Sequence, residues 1–369
     1  MKILVTGAKG FIGKNLIAEL KNQGYKEIYE YDLNSSLQDL DKYTKDCDYI
    51  FHLAGVNRPK EQKEFLEGNF GFTSVLLDLL KKNQNRCPIT LSSSIQATLD
   101  NPYGISKKAG EDLLIAYSIE NDVKVLVYRF PNVFGKWCKP NYNSVIATFS
   151  YNIANNLPIQ INDQNVVMNL IYIDDLVKEL LRALNSKENM NDYFCYVEPV
   201  YSVSIKEIVD LLYKFKSSRE NLSIPNTEDE FIKKLYSTYL SYLPRDKFIY
   251  DLKMNFDIRG SFTEFIKTSD RGQVSINISK PSITKGNHWH NTKNEKFLVV
   301  SGKGIIRFRK VDESDIIEYC VSGDKLQVVD VPPGYTHNIE NIGSEDLIIV
   351  IWVNEKFNPE YPDTFYMEV

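Results

Sequence analysis

The chain has 369 residues, 43% of them hydrophobic and 25% charged, a composition typical of a globular protein large enough for two domains. Its net charge of −5 is spread along the sequence without a basic block, so binding to nucleic acid or to a membrane surface is not favoured. The five cysteines are far apart and form no CxxC pair, and no apolar run is long enough to span a bilayer. Residues 1–7 already have the pattern of a strand, which leaves no room for a signal peptide, so we expect a cytoplasmic protein.

The first half of the chain alternates short apolar runs with amphipathic stretches. The runs are predicted to be buried strands at Lys2–Val5, Glu27–Tyr31, Tyr49–Leu53, Pro88–Ser92 and Lys124–Tyr128. Helices are predicted between them, for example at Phe11–Asn22 and Thr73–Asn83. This alternation predicts an α/β fold of Rossmann type, a doubly wound parallel sheet with helices on both faces.

The pattern changes twice in the second half. Residues 200–245 are predicted to be helical, with Ser204 as an N-cap and Pro225 as a break. From about residue 247, short β runs recur between turn glycines, which predicts an all-β sandwich or barrel. We therefore predict two domains, residues 1–245 and 246–369, joined at Leu243-Pro244-Arg245.

A glycine-rich segment at residues 7–13, Gly-Ala-Lys-Gly-Phe-Ile-Gly, follows the first strand and opens the first helix. Glycines at these positions let the backbone turn tightly and approach a pyrophosphate at the helix N-terminus, so this segment predicts a dinucleotide site. Asp32 ends the second strand, where an acid accepts hydrogen bonds from a ribose 2′-OH and favours NAD. Lys9 lies inside the loop and favours a 2′-phosphate instead, so the residues leave the choice between NAD and NADP open.

Tyr103 and Lys107 are the candidate catalytic pair. A spacing of four places them one turn apart on a helix face, and a neighbouring ammonium, together with the nicotinamide charge, favours the phenolate of Tyr103. The preceding strand ends in Ser92-Ser93-Ser94, whose hydroxyls are candidates for holding a substrate carbonyl oxygen.

These motifs resemble the extended branch of the short-chain dehydrogenase/reductase family. The matching stretches are TGxxGxxG at residues 6–13, HLAG at 52–55, Asn69, the serine run, YxxxK at 103–107, and the segments at 129–135 and 172–176. The resemblance implies hydride transfer with Tyr103 as proton donor, Lys107 on the nicotinamide ribose and Ser94 on the carbonyl, with Ser93 as the second choice because the gap from the serines to Tyr103 is short. The implied cofactor contacts, besides Tyr103 and Lys107, are Thr6, Gly7, Lys9, Gly10, Phe11, Ile12, Gly13, Asp32, Leu53 and Ala54.

The last third of the chain carries a candidate metal site made of His288, His290, Glu295 and His337. Residues 288 and 290 share a face of one strand, and Glu295 is placed on the next. Three of the four histidines of the chain fall in this pattern, and imidazoles with a carboxylate suit Zn, Ni, Fe or Mn. The spacing HxH, four residues, Glu, followed later by PxG, two residues, His, resembles the cupin family and implies a jelly-roll barrel. Residues 257–264, DIRGSFTE, are similar to a stretch of the dTDP-4-dehydrorhamnose 3,5-epimerases, which are cupin-fold enzymes.

Two catalytic modules on one chain suggest two steps on one substrate. A ketone at sugar C4 acidifies the hydrogen at C3, so a base can invert C3 before hydride is delivered to C4. His288, Tyr335 and Lys293 are the candidate bases, and the residues do not choose among them.

An extended reductase followed by a cupin resembles the bifunctional enzymes of capsular polysaccharide synthesis over the whole chain. That resemblance implies C3 epimerisation and C4 reduction of UDP-2-acetamido-2,6-dideoxy-β-L-arabino-hexos-4-ulose, a UDP-linked 4-keto-6-deoxy amino sugar. The implied product is UDP-N-acetyl-L-pneumosamine, and NADPH, zinc and a homodimer are implied as well. One alternative is a 4-keto reductase whose cupin is a structural, metal-stabilised dimerisation module. Another is a nucleotide-sensing regulator.

Overall fold

The computed structural model describes residues 1–191 and 194–369, which fall into two compact units. One unit comprises Met1–Tyr213 and Thr227–Pro244, and the other Lys214–Asn226 and Arg245–Val369. Residues 214–226 are predicted to belong to the first domain, whereas here they group with the second unit. The backbone explains this difference, because Ser223 forms a β-bridge with Lys267 and the Ile224 N–H donates to the Lys267 carbonyl at 3.0 Å.

Within the described residues, the first unit contains ten strands and nearly all of the helical structure. Its strands are β1 Lys2–Thr6, β2 Glu27–Tyr31, β3 Tyr49–His52, β4 Ile89–Ser94, β5 Val125–Phe130, β6 Asn132–Phe134, β7 Val167–Tyr172, β8 Met190–Asn191, β9 Phe194–Cys195 and β10 Tyr201–Ser204. The helices are α1 Phe11–Asn22, α2 Leu37–Asp46, α3 Lys63–Leu66, α4 Phe72–Lys82, α5 Pro102–Asn121, α6 Val145–Ala154, α7 Ile173–Leu184, α8 Ile205–Asn221 and α9 Glu230–Leu240. The last turns of α8, from Lys214 onwards, belong to the second unit.

The main sheet confirms the predicted doubly wound parallel architecture. Seven strands lie in the order β2-β1-β3-β4-β5-β9-β8, and all neighbours are parallel except β8 and β9. Every residue of β3 and β4 is buried, as expected for strands covered on both faces. Successive residues of β1 enter different cores, Ile3 on one face of the sheet and Leu4 on the other. Because the strands are parallel, Thr6, His52 and Ser94 end at the same edge of the sheet.

Most of the predicted strands and helices differ from the structure by one or two residues at an end, and two differences have a clear physical reason. The predicted strand at Pro88–Ser92 is found at Ile89–Ser94, since Ser93 and Ser94 continue the ladder opposite Arg129 and Phe130. Residues 200–245 are not helical throughout, because β10 precedes α8 and pairs with β7. Ser204 does cap α8, accepting a hydrogen bond from the Glu207 N–H at 3.2 Å. Among the described residues no helix combines the length and the apolar content that a membrane span requires.

The β portion of the second unit confirms the predicted all-β region. Its strands are β11 Met254–Asp257, β12 Gly260–Lys267, β13 Gln273–Ser279, β14 Thr284–Trp289, β15 Glu295–Ser301, β16 Lys303–Lys310, β17 Ile316–Ser322, β18 Val328–Val331, β19 Tyr335–Asn341, β20 Leu347–Val353 and β21 Phe365–Tyr366. They form two antiparallel sheets, ordered β11-β12-β13-β20-β15-β18 and β17-β16-β19-β14-β21. The core between them takes alternate residues of both, such as Phe297 and Ile349 from the first sheet and Ile306 and Ile339 from the second.

Candidate active site and metal centre

The glycine-rich segment forms a close-packed turn between β1 and α1. Gly7 has φ +67°, and a Cβ there would lie 2.8 Å from the backbone nitrogen of Ala54. A Cβ on Gly13 would lie 2.2 Å from the Gly7 carbonyl oxygen, so both positions require glycine. Helix α1 starts after Gly10 without a side-chain cap, which leaves its first-turn N–H groups for an anion. The segment therefore fits the pyrophosphate of a dinucleotide.

Thr6, Leu53 and Ala54 hold this loop against the end of β3. The Leu53 and Ala54 N–H groups donate to the carbonyl and to the hydroxyl of Thr6, at 3.2 and 3.3 Å. His52 lies beneath them, bonded through Nδ1 to the Thr6 hydroxyl at 2.8 Å and through Nε2 to the Thr73 hydroxyl at 2.9 Å. Burial, with the nearby Lys107 charge, lowers the pKa of His52 to about 3. A neutral, fully hydrogen-bonded imidazole has a structural role, as the end of a buried strand predicts.

Asp32 contributes to the shape of the glycine loop. Its carboxylate accepts hydrogen bonds from the Lys9 N–H at 2.7 Å and from the Leu33 N–H at 2.9 Å. The Lys9 side chain is exposed. The two residues that bear on the choice between NAD and NADP, Asp32 and Lys9, therefore lie next to each other at the glycine loop.

Lys107 lies on α5 in a polar cradle at the sheet edge. Its ammonium donates to the Ser92 carbonyl oxygen at 2.9 Å, and burial lowers the pKa of Lys107 to about 8 while Glu111 opposes that shift. The neighbouring Asn69 joins two elements: its side chain accepts from the Val56 N–H at 3.0 Å and donates to the Ser106 hydroxyl at 2.9 Å. A Cβ on Gly55 would meet Asn69 Oδ1 at 2.8 Å and Lys107 Nζ at 3.1 Å, so this glycine leaves room for both side chains.

Tyr103 occupies the first turn of the same helix. Lys107 is predicted to favour its phenolate, but burial raises the pKa of Tyr103, and the Ser94 hydroxyl is the protein group that opposes this rise. Lys107 is not among the groups that act on the Tyr103 phenol, and its ammonium is hydrogen-bonded to the Ser92 carbonyl oxygen. Among the protein's own groups, Tyr103 is thus held as a neutral phenol, the form that donates a proton.

The serines at the end of β4 make different contacts. Ser93 donates to Glu111 Oε1 at 2.5 Å, and Arg129 binds the same carboxylate through two nitrogens at 2.9 and 2.6 Å. Glu111 is fully buried, so this network fixes the Ser93 hydroxyl away from a substrate. Ser94 points to the opposite side of β4. Sequence reasoning missed Glu111 and its contacts with Arg129 and Ser93, because no spacing motif links these residues.

Glu111→Ala is expected to lower the free energy of unfolding by about 3 kcal/mol, because it leaves the Arg129 charge and the Ser93 hydroxyl without their partner. This value is at the lower end of the range measured for breaking buried ion pairs, because the Arg129 side chain is still 23% exposed to solvent. Urea denaturation measures it. Glu120→Ala is the control, since its pair with Lys81 is exposed and its loss should cost less than about 1 kcal/mol. Equal losses in the two variants would contradict a structural role for the buried network.

A cavity of about 690 Å³ lies in the same unit. It is lined by Arg58, Asn141, Tyr142, Asn143, Ser144, Val145, Thr148, Phe149, Gln160, Ile161, Asn162, Asp163, Val166 and Ile205. The cavity is large enough for a small organic ligand, and Arg58 offers a positive charge to an anionic group.

The second unit brings the four predicted metal-binding side chains together. His288 lies on β14 directly opposite His337 on β19, His290 follows β14, and Glu295 begins β15. One ligand atom from each residue falls within 4.8 Å of the others. Glu295 Oε2 lies 3.3 Å from His337 Nε2 and 3.8 Å from His290 Nε2. Ligands about 2 Å from a zinc ion stand roughly 3.3 Å apart, so this geometry fits a shared ion.

The hydrogen bonding and the pKa values of the four side chains are compatible with metal binding. Nε2 of His290 and both ring nitrogens of His337 are buried without a hydrogen-bond partner. Burial raises the pKa of Glu295, but the two imidazoles outweigh it and lower that pKa to about 2. Burial, together with His337, lowers the pKa of His288 to about 4. A carboxylate together with three imidazoles is a donor set for zinc or another divalent transition metal.

The geometry defines two classes of structure on one chain, an α/β nucleotide-binding unit and an all-β unit with a candidate metal centre. Residues 3–196 match the NAD dependent epimerase/dehydratase family, and residues 255–365 match the polysaccharide biosynthesis C-terminal domain. The chain belongs to the NAD dependent epimerase/dehydratase family, which implies a nicotinamide cofactor.

Relatives extend the match to the whole chain. A Pseudomonas aeruginosa protein described as UDP-2-acetamido-2,6-beta-L-arabino-hexul-4-ose reductase is 42% identical, with 100% of this chain and 99% of the relative covered. The crystal structure of the capsular polysaccharide assembling protein CapF from Staphylococcus aureus is 58% identical, with a TM-score of 0.96 and both chains covered completely. A UDP-glucuronic acid 4-epimerase from Bacillus cereus is 21% identical and covers 59% of this chain and 83% of its own, at a TM-score of 0.53, which shows the shared fold alone.

Proposed function

We propose that the chain is a bifunctional nucleotide-sugar enzyme of capsular polysaccharide synthesis. The second unit epimerises C3 of UDP-2-acetamido-2,6-dideoxy-β-L-arabino-hexos-4-ulose, and the first reduces its C4 ketone with NADPH. The product is UDP-N-acetyl-L-pneumosamine, which is UDP-2-acetamido-2,6-dideoxy-L-talose, on the route to UDP-N-acetyl-L-fucosamine. The observation that carries the proposal is the convergence of four metal-donor side chains in a chain 42% identical, end to end, to a described 4-keto sugar reductase.

In the reductase half, the chain positions the ketone and supplies a proton. NADPH, when bound on the glycine segment, supplies the hydride for C4. Tyr103 donates its phenolic proton to the C4 oxygen, and the pKa raised by burial keeps that proton in place beforehand. Ser94 orients the carbonyl oxygen, since Ser93 is bonded to Glu111. Lys107, held by Ser92, binds the nicotinamide ribose.

We propose NADPH rather than NADH, on the placement of Lys9 and Asp32. The Asp32 carboxylate accepts hydrogen bonds from the backbone N–H groups of Lys9 and Leu33. The Lys9 side chain is exposed, so its ammonium is available to a 2′-phosphate. NADH can still be used if the ribose hydroxyl reaches Asp32. The ratio of kcat/KM for the two cofactors tests the preference.

Arg58→Ala is expected to raise KM for the UDP-sugar by about 10-fold or more while kcat changes little. The side chain lines the 690 Å³ cavity, where its charge suits the diphosphate of a nucleotide sugar. Steady-state kinetics with varied UDP-sugar measures the effect. Arg86→Ala serves as the control, because Arg86 is exposed and does not line the cavity. A variant with an unchanged KM would exclude Arg58 as a substrate contact.

In the epimerase half, we propose a cupin fold for the β strands of the second unit, with His288, His290, Glu295 and His337 as the metal ligands. A divalent ion held there, zinc in our proposal, would act as a Lewis acid toward negative charge that develops beside C3. The base that removes the C3 proton is Tyr335 in this arrangement, whereas His288 is the base if His290, Glu295 and His337 alone hold the ion. Lys293 is a weaker candidate, because its ammonium is already bonded to the Pro362 carbonyl.

Deuterium exchange separates this proposal from its main rival. The enzyme is incubated with the 4-keto sugar in deuterated water without NADPH, and the sugar is analysed for label at C3. Label at C3, followed by NADPH oxidation when the cofactor is added, is the expected result. NADPH oxidation without any label would leave a single-function reductase with a structural cupin. Failure of the 4-keto sugar to oxidise NADPH would instead favour a regulator.

We also expect a homodimer. Strand β11 lies at the edge of its sheet, and Met254 and Phe256 on it are 44% and 72% exposed. An apolar edge strand of this kind is usually covered in the native assembly. Sedimentation equilibrium should therefore give twice the chain mass of 42.6 kDa. A monomer at micromolar concentration would contradict the expectation.

A further inference from the structure

The last residues of the chain bind back onto the candidate metal centre. We call residues 362–368 the C-terminal segment. Within it, Phe365 and Tyr366 form β21 and pair with Trp289 and His288 of β14. The Met367 N–H donates to the Asn287 carbonyl at 3.0 Å, and its carbonyl accepts from the Thr336 hydroxyl. The segment thus lies against the strands that carry His288 and His337.

One contact of the C-terminal segment determines which ring nitrogen of His290 carries the proton. His290 Nδ1 lies 2.6 Å from the main-chain carbonyl oxygen of Asp363. A carbonyl oxygen can only accept, so Nδ1 must carry the proton and donate it. The remaining nitrogen, Nε2, then bears a lone pair, and it is the buried nitrogen without a hydrogen-bond partner that faces Glu295. This is the tautomer that a metal ligand needs.

A second set of contacts holds the Asp363 carbonyl in place. The Asp363 carboxylate accepts from three consecutive backbone N–H groups, those of Asn291 at 3.0 Å, Thr292 at 2.8 Å and Lys293 at 2.8 Å. The 5%-exposed Lys293 adds a bond from its ammonium to the Pro362 carbonyl. Asp363 has φ +40°, a backbone conformation that aspartate and asparagine tolerate better than most residues. These bonds tie the loop between His290 and Glu295 to the C-terminal segment.

We infer that the C-terminal segment is a positioning element for the metal centre, and that Asp363 is its principal positioning residue. Asp363 holds the loop after His290 through its carboxylate and sets the His290 tautomer through its carbonyl. The inference rests on the proposed metal centre, since it explains how one ligand of that centre is prepared before the ion binds. Lys293 contributes to this positioning, because its ammonium holds the Pro362 carbonyl of the C-terminal segment.

Zinc affinity of the full-length chain tests the inference. Metal-free wild type, Asp363→Asn and Asp346→Asn are each titrated with zinc in competition with a chromophoric chelator. The asparagine side chain keeps the left-handed backbone accessible but turns an amide donor toward backbone donors, so we expect about 10–100-fold weaker zinc binding. Asp346→Asn is the matched control, because that carboxylate pairs with the exposed Lys280 and its loss should leave zinc affinity unchanged.

A second measurement distinguishes positioning from simple stabilisation. Nitrogen-15 NMR of the metal-free chain at about pH 8, where free imidazoles are neutral, should show His290 protonated at Nδ1 in wild type and as a mixture of tautomers in Asp363→Asn. Thermal unfolding of the same samples reports stability. Lowered stability with unchanged zinc affinity and tautomer would overturn the inference and leave a structural segment. If wild type binds no zinc, the proposed metal centre itself fails, and the inference fails with it.

Discussion

Tyr103→Phe is expected to lower kcat for reduction of the 4-keto sugar by about 10²–10⁴-fold, the usual contribution of a positioned general acid. The substitution removes only the phenolic oxygen, so the proton for the C4 alkoxide has no donor at that position. Burial already raises the pKa of Tyr103, and the wild-type phenol is therefore loaded with its proton before the ketone binds. NADPH oxidation under saturating substrate measures the loss.

The same variant should leave C3 chemistry intact. Deuterium exchange at C3, measured without NADPH, is expected to proceed at the wild-type rate, because the metal-donor side chains belong to the second unit. Tyr117→Phe is the control for α5, since Tyr117 is buried on the same helix and its hydroxyl makes a long, 3.4 Å bond to the Asn85 carbonyl. Wild-type reduction by Tyr103→Phe would exclude Tyr103 as the acid, and loss of C3 exchange would show that the two activities share a residue.

The parts of the candidate sites that the sequence predicts are those fixed by neighbours in the chain. A glycine is required at residue 7 because the turn between β1 and α1 needs φ +67°, and this requirement is visible in the glycine spacing. Tyr103 and Lys107 share α5, so a spacing of four is enough to pair them. The metal donors are predictable for another reason, since the chain has only four histidines and three of them fall in the predicted metal-binding pattern.

What the sequence does not predict depends on contacts between distant residues or on the backbone. Our preference for Ser94 over Ser93 depends on Glu111, which lies on another element and accepts a hydrogen bond from the Ser93 hydroxyl. The direction of the Tyr103 pKa depends on how deeply the ring is buried, which no motif encodes. The His290 tautomer is set by the carbonyl oxygen of Asp363, and a main-chain oxygen carries no residue-type signal at all.

Glu295→Gln is expected to lower the rate of C3 deuterium exchange by about 10³-fold, the equivalent of roughly 4 kcal/mol of lost transition-state stabilisation. The amide has the shape of the carboxylate but lacks its charge, and that charge is what the His290 and His337 rings support by lowering the Glu295 pKa to about 2. The zinc content of the purified variant should fall together with the exchange rate. Both are measured on the full-length chain, by atomic absorption and by mass spectrometry of the sugar.

The control and the reductase assay decide what the metal centre is for. Glu318→Gln removes an exposed carboxylate in the same unit that pairs with Arg307, and neither zinc content nor exchange should change. Reduction of a substrate already epimerised at C3 should also survive Glu295→Gln, because Tyr103, Lys107 and Ser94 are untouched. If the variant loses zinc and still exchanges C3 at the wild-type rate, the ion has no catalytic part in epimerisation and serves structure instead. If it loses zinc, C3 exchange and reduction together, the two units depend on each other for their fold. The assignment of epimerisation to one unit and reduction to the other must then be tested on metal-loaded protein.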